Sequence, residues 1–169
     1  MLFGKKSAVG VDIGSHSIKV CHLNEGGKGL FLKRFDVAPL PPDSVVDGAV
    51  MNFTHVQEKL KELVVANKLK GKPATLAVSG HSVIIKKISL PEMTQQELDA
   101  SIMWEAEQYI PFDIKEVNVD VQILDPKAGQ GQMDVLLVAA KKDVINDYVS
   151  IAVDAGLDPA VVDVDTFAV

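Results

Sequence analysis

Cysteine is almost absent from this chain. Cys21 is alone among 169 residues, so no intrachain disulfide can form and the natural setting is a reducing compartment. A basic excess is missing too. Lys and Arg number 17 against 23 Asp and Glu, a formal net charge of −6, and such a chain lacks the basic stripe that displaces counterions from DNA or RNA. Nucleic acid is not an expected partner. Nothing approaches the roughly 20-residue apolar run that a membrane helix needs. The opening M-L-F-G-K-K is too short in apolar residues for a signal peptide and reads as a basic terminus. His16, His22, His55 and His81 are scattered without metal-ligand spacing, so no structural zinc is expected. No Ser-His-Asp or Cys-His arrangement stands out. Cys21 lies in the middle of an apolar strand and is expected as a small core residue.

What is present concentrates in Ser7 to Leu23, S-A-V-G-V-D-I-G-S-H-S-I-K-V-C-H-L. An apolar segment runs to Ile13, turns, and returns as a second strand from Ile18 to Leu23. The tip of this hairpin is rich in anion donors. Gly14 is free to take φ > 0 and, without a Cβ, lets backbone amides approach an anion. Ser15 and Ser17 add hydroxyls, His16 adds a backbone N–H, and Lys19 supplies a cation. Asp12 cannot hold a phosphate itself, because like charges repel, but it suits a hydrated Mg²⁺ that bridges to phosphate oxygens. The same D-x-G-S string also fits an ordinary polar turn. The glycine lies between two strands, so this is neither a G-x-G-x-x-G strand-to-helix turn nor a Walker loop.

Further along, Gly26 to Gly29 is a flexible connection and Leu30 to Val37 a third strand, with Phe31 and Phe35 on alternate positions. Prolines from Pro39 open a loop that extends to about Phe53. A helix is expected from Thr54, capped by a Thr54–Gln57 box, with Val56, Leu60, Leu63 and Val64 inward. Thr75 to Val78 reads as a short parallel strand. After a boundary at Ser79 to Ser82, the order is strand (Val83 to Leu90), helix, strand, strand, helix. The first of these helices opens at Thr94 with a capping box completed by Glu97 and buries Leu98, Ile102, Ala106 and Tyr109. Val117 to Ile123 alternates as a half-covered strand, Val135 to Ala140 is a central strand, and the last helix carries Val144, Tyr148, Ile151, Ala152 and Ala155 on one face. The spans expected are 1–80, 81–158, and 159–169 returning to the first unit. Trp104 and Tyr109 read as core or interface residues, and Glu105, Glu107 and Asp113 as solvated.

The string D-x-G-S-x-x-x-K resembles the first phosphate loop of the actin-like ATPase superfamily, with Asp12, Gly14, Ser15 and Lys19 in matching positions. The β-β-β-α-β order resembles the ribonuclease-H-like domain of those proteins. The pairing of two units, with E-A-E-Q-Y-I-P-F at Glu105 to Phe112 and G-L-D-P at Gly156 to Pro159, is similar to the PilM family, cytoplasmic actin-like proteins of type IV pilus machines, and to its relative FtsA of cell division. The fold class implied is α/β, an actin-like (ribonuclease-H-like) subdomain with a small inserted β-α-β-β-α subdomain.

That resemblance carries functional expectations. The full-length protein would bind ATP with Mg, Asp12 ordering the metal through water and Gly14, Ser15, His16, Ser17 and Lys19 gripping the phosphates. It would dock the N-terminal cytoplasmic peptide of the inner-membrane protein PilN, with Phe112 and Ile114 as candidate groove residues and ordinary core packing as their open alternative. Other cytoplasmic pilus components would be further partners. The location implied is cytoplasmic, peripheral at the inner membrane through the partner, in pilus assembly, twitching motility or related type II secretion.

One departure stands out. The second phosphate loop and adenosine loop of such proteins do not occur, since Asp47-Gly48 and Asp154-Ala155-Gly156 have the wrong spacing. The 169 residues are therefore expected to be an N-terminal portion in which ATP binding is weak or absent. No residue is placed to activate water, so the full-length protein would be at most a slow ATPase. A small-molecule kinase of the same superfamily and a nucleotide-independent adaptor remain open.

Overall fold

Alternation sets the first sheet. Val9, Val11 and Ile13 are buried while Gly10 and Asp12 are exposed, the period of two that gives β1 (Val9–Ile13) one inward face. The computed structural model describes residues 9–27 and 29–168, so Met1 to Lys6 and the first residues of the hairpin segment lie outside the described residues. β2 (Ser17–Gly26) runs back antiparallel, with Ile13 opposite Ile18 and Asp12 opposite Lys19. β3 (Gly29–Pro39) completes the meander. A bulge opposite His22 and Leu23 pairs Phe31 with Asn24 but Phe35 with Cys21, which turns the two phenylalanines to opposite faces.

The stretch expected as a loop holds a miniature hairpin, β4 (Val45–Val46) and β5 (Ala49–Val50). Its turn, Asp47-Gly48, has φ of 50° and 81°, the left-handed pair that a two-residue Asp-Gly connection favours. α1 (Phe53–Ala66) buries Val56, Leu60, Leu63 and Val64 as their spacing predicts. Its cap is a correction. Asn52, not Thr54, holds the N-terminus, its Oδ1 accepting the His55 N–H at 3.1 Å, because Thr54 already lies inside the first helical turn. β6 (Pro73–Val78) then pairs parallel with β1.

The second unit is a three-stranded sheet under one helix. β7 (Val83–Pro91), α2 (Gln95–Ala106), β8 (Val117–Gly129) and β9 (Gln132–Lys141) follow in order, with β9 between the other two strands. The Thr94–Glu97 capping box is present. Leu98, Ile102 and Ala106 pack with Val135, Leu137 and Met133 in one core.

The chain divides into two compact units, one containing the described residues to Gly80 with those from Val144 onward, the other His81 to Asp143. α3 (Lys142–Asp154) therefore goes largely with the first unit rather than with the expected 81–158 span. The reason is packing: Val144, Tyr148, Ile151 and Ala152 are buried, and the Tyr148 hydroxyl reaches the carbonyls of Ile13 and Gly48. β10 (Asp158–Val164) returns parallel to β6, giving the order β10-β6-β1-β2-β3.

One face of this five-stranded sheet is buried, through Val9, Val11, Ile18, Val20, Ala74, Leu76 and Val78. The register puts Asp12, Lys19, Cys21, Phe35 and Val37 on the other. That face is open among the described residues, with Phe35 57% exposed. Cys21, expected in the core, is half-buried on this open side.

Candidate functional site

The parallel strands β1, β6 and β10 deliver their carboxyl ends to one edge of the sheet, the position where open α/β sheets hold ligands. At that edge the β1–β2 tip is shaped by its own bonds. The Gly14 N–H donates to the Ser17 carbonyl at 3.1 Å, and the Leu40 N–H donates to the His16 carbonyl at 2.8 Å. The expected roles shift accordingly. Gly14 is not among the glycines with positive φ, and its amide is spent inside the turn. The amides of Ser15 and His16 have no protein acceptor among the described residues, so they are the ones an anion would meet. A Cβ on Gly14 would lie 3.4 Å from the Ser17 carbonyl and 3.8 Å from Lys19 Nζ, ordinary contact distances, so neither space nor backbone conformation demands glycine there.

Lys19 Nζ donates to Asp12 Oδ2 at 2.6 Å, with both side chains about half exposed at 44% and 51%. The two residues proposed from sequence for a cation and a metal ligand are therefore brought together. Ser15 Oγ lies 2.8 Å from His16 Nδ1. Ser17 opens β2, with its carbonyl committed to Gly14.

A recess of about 240 Å³ opens beside the tip. Ile13, Gly14 and Ser15 form one wall, Asp47 and Gly48 a second, Ser79 and Gly80 a third. A larger hollow of about 510 Å³ lies along the outer surface of α1, lined by Glu58, Lys61, Glu62, Val65 and Ala66, and is more open. Sequence reasoning missed the second and third walls. The signal for the second was available, because Asp-Gly between V-V and A-V is a strong short-range hairpin pattern. The third wall carried no such mark.

Beneath the tip lies Tyr148. Burial pushes its phenol up to about 12, with the nearby carboxylates of Asp12 and Asp165 acting in the same direction, so it stays a neutral donor. Among the described residues no group of three His, Cys, Asp or Glu side chains converges as a metal cage. A single carboxylate such as Asp12 would suit a hydrated Mg²⁺ whose remaining ligands are water and phosphate oxygens. The Asp12 oxygens, the Ser15 and His16 amides, which have no protein acceptor among the described residues, and the Lys19 ammonium are groups that fit magnesium polyphosphate. The recess is below the roughly 300–1,000 Å³ of a complete ligand pocket, room for phosphates and not for a whole nucleotide.

Phe112 and Ile114 lie in the second unit, both partly buried against its core. The Lys141 ammonium sits 4.5 Å from the centre of the Phe112 ring, a cation–π contact. Trp104 is 70% exposed on α2.

The family described as type IV pilus assembly protein PilM matches residues 10–169. The chain belongs to the PilM family. Its fold is similar to that of a chain in the PilM-PilN type IV pilus biogenesis complex, with a TM-score of 0.84 and 31% identity. The match covers 98% of this chain and 49% of that one, so the sequence spans about half the length of the chain it matches. The actin-like α/β fold class read from the sequence is the fold observed. A second likeness is to the cytoplasmic domain of EpsL, an inner-membrane component of the type II secretion system of Vibrio cholerae, at a TM-score of 0.63 and 13% identity, covering 96% of this chain and 59% of that one. At that identity it shows a shared fold alone. No helix among the described residues is long and apolar enough to cross a membrane.

Proposed function

We propose that this chain is the phosphate-facing part of a cytoplasmic scaffold for type IV pilus assembly, which binds Mg-ATP when its other half is present and docks the N-terminal peptide of PilN. What supports the nucleotide reading is the grouping at the β1–β2 tip of the Asp12–Lys19 pair with the Ser15 and His16 amides, which have no protein acceptor among the described residues, next to a recess that Ile13, Gly14 and Ser15 help to line. Membership of the PilM family and likeness to a PilM-PilN complex support the scaffold and partner reading.

Each residue has a distinct task. Asp12 would order the magnesium through its water shell, while the ion supplies charge neutralisation for the phosphate oxygens. Lys19, leaving Asp12 as the anion enters, would turn its ammonium to the phosphates. The Ser15 and His16 amides and the Ser15 and Ser17 hydroxyls would complete the grip. We assign no general base at the tip, where the His16 imidazole lies 2.8 Å from Ser15 Oγ, and hydrolysis would be slow and regulatory. Binding would set the angle between halves of the full protein and so bias its contacts with PilN and other cytoplasmic pilus components at the inner membrane.

The test is titration of the full-length protein with a synthetic PilN N-terminal peptide, followed by fluorescence anisotropy with and without Mg-ATP. Saturable binding whose affinity changes on adding nucleotide is expected. Binding indifferent to nucleotide would leave a static adaptor, and absence of binding would remove the partner reading.

A further inference from the structure

The recess beside the tip is built from three stretches far apart in sequence, and one buried side chain touches two of them. Tyr148, on α3 and 1% exposed, places its hydroxyl 3.0 Å from the Gly48 carbonyl and 3.4 Å from the Ile13 carbonyl. A phenol has one proton to give, so the shorter contact is the hydrogen bond and the longer one a weaker electrostatic contact. Ile13 ends β1 immediately before Gly14, and Gly48 belongs to the turn that carries Asp47. This turn is held from its other side as well. A Cβ on Gly48 would lie 2.2 Å from the Ser79 carbonyl oxygen, and one on Gly80 would lie 2.1 Å from that of Asp47. Backbone meets backbone there, and the turn cannot move toward Ser79-Gly80.

We propose that Tyr148 is a positioning residue for the phosphate-facing tip, its hydroxyl fixing the distance between the Asp47-Gly48 turn and the end of β1 and so the width of the recess. The proposal rests on the reading of that recess as a polyphosphate site and adds the residue that holds it in shape. A phenylalanine would fill the same volume, so packing alone does not require the hydroxyl. Because the phenol stays neutral, the tie holds across the physiological pH range.

The experiment compares full-length wild type with Tyr148→Phe, and with Val144→Ala as a packing control on the same buried face. Two quantities are read: hydrogen exchange at the amides of Gly14 to Ser17 and of Asp47 and Gly48 without nucleotide, and Mg-ATP affinity by calorimetry at a temperature where every variant is folded. Tyr148→Phe is expected to speed exchange at both segments and to weaken Mg-ATP by about tenfold, the scale of one lost well-placed hydrogen bond. Val144→Ala is expected to lower the melting temperature while leaving both readouts near wild type. Faster exchange in Tyr148→Phe together with a wild type that ignores Mg-ATP would keep the positioning role and remove the nucleotide reading. Wild-type exchange and affinity in Tyr148→Phe, or equal changes in Val144→Ala, would overturn the proposal. Should Tyr148→Phe not fold, the wild-type hydroxyl proton decides: slow exchange and a shift on adding Mg-ATP are expected, and a fast-exchanging proton would contradict the tie.

Discussion

Asp12 and Lys19 are register partners across the first two strands, and their side chains meet at 2.6 Å at the end where the hairpin turns. Both are about half exposed, and a pair so placed is screened by water and gains little for the fold. Asp12→Asn and Lys19→Met should therefore each change the unfolding free energy of the 169-residue chain by less than about 1 kcal/mol, measured by urea titration. A loss well above that would make the pair a structural clasp rather than a pair kept for a ligand.

Helix α1 gives a test of which residue caps it. Asn52→Ala removes the acceptor of the His55 N–H and should cost about 1 kcal/mol. Thr54→Ala, inside the first turn, should cost much less. Chemical denaturation of the two variants reads the difference, and a reversed order would return the cap to Thr54.

His22 is 1% exposed. Burial, with Lys72, Lys33 and Arg34 nearby, holds its pKa below 6.5. The unfolded chain then binds the proton more readily than the folded one. The contribution of His22 is fully present above pH 6.5 and is lost as pH falls through its folded pKa. Asp36, Glu97 and Asp134 also have lowered values, but from starting points of 3.8, 4.5 and 3.8, so their losses come in a more acid window. Urea midpoints between pH 7 and 5 should fall for wild type and flatten in His22→Gln. Equal slopes in both proteins would contradict the assignment.

The open sheet face predicts the behaviour of the isolated chain. Leu32, Phe35 and Val37 stand exposed on β3, an edge strand, and an edge with an apolar surface invites association. Sedimentation of the 169-residue chain should show concentration-dependent self-association, reduced by Phe35→Glu. A monomer at all concentrations would mean that the face is tolerated in water.

Much of this was legible from local chemistry. Helix faces such as Val56-Leu60-Leu63-Val64 and the alternation of β1 follow from spacing alone, and the Thr94–Glu97 box names its own helix start. Legibility failed where long-range packing decides. Nothing in α3 announces that Tyr148 belongs beside Ile13 and Gly48, 135 and 100 residues away, and the helix was read with the unit that precedes it. The bulge in β3 falls at Lys33, between Leu32 and Arg34, where no glycine or proline marks it, yet it turns Phe31 and Phe35 to opposite faces. At the tip, residue types were readable but their commitments were not, since Gly14 spends its amide on Ser17 and leaves Ser15 and His16 to face solvent.

The most direct test of the proposed phosphate role of the tip is calorimetric titration of the full-length protein with ATP, with and without Mg²⁺, for wild type and Asp12→Ala. The account predicts magnesium-dependent binding by wild type that falls at least about tenfold in Asp12→Ala. Equal affinity in the two proteins, or wild-type binding that ignores magnesium, would contradict it.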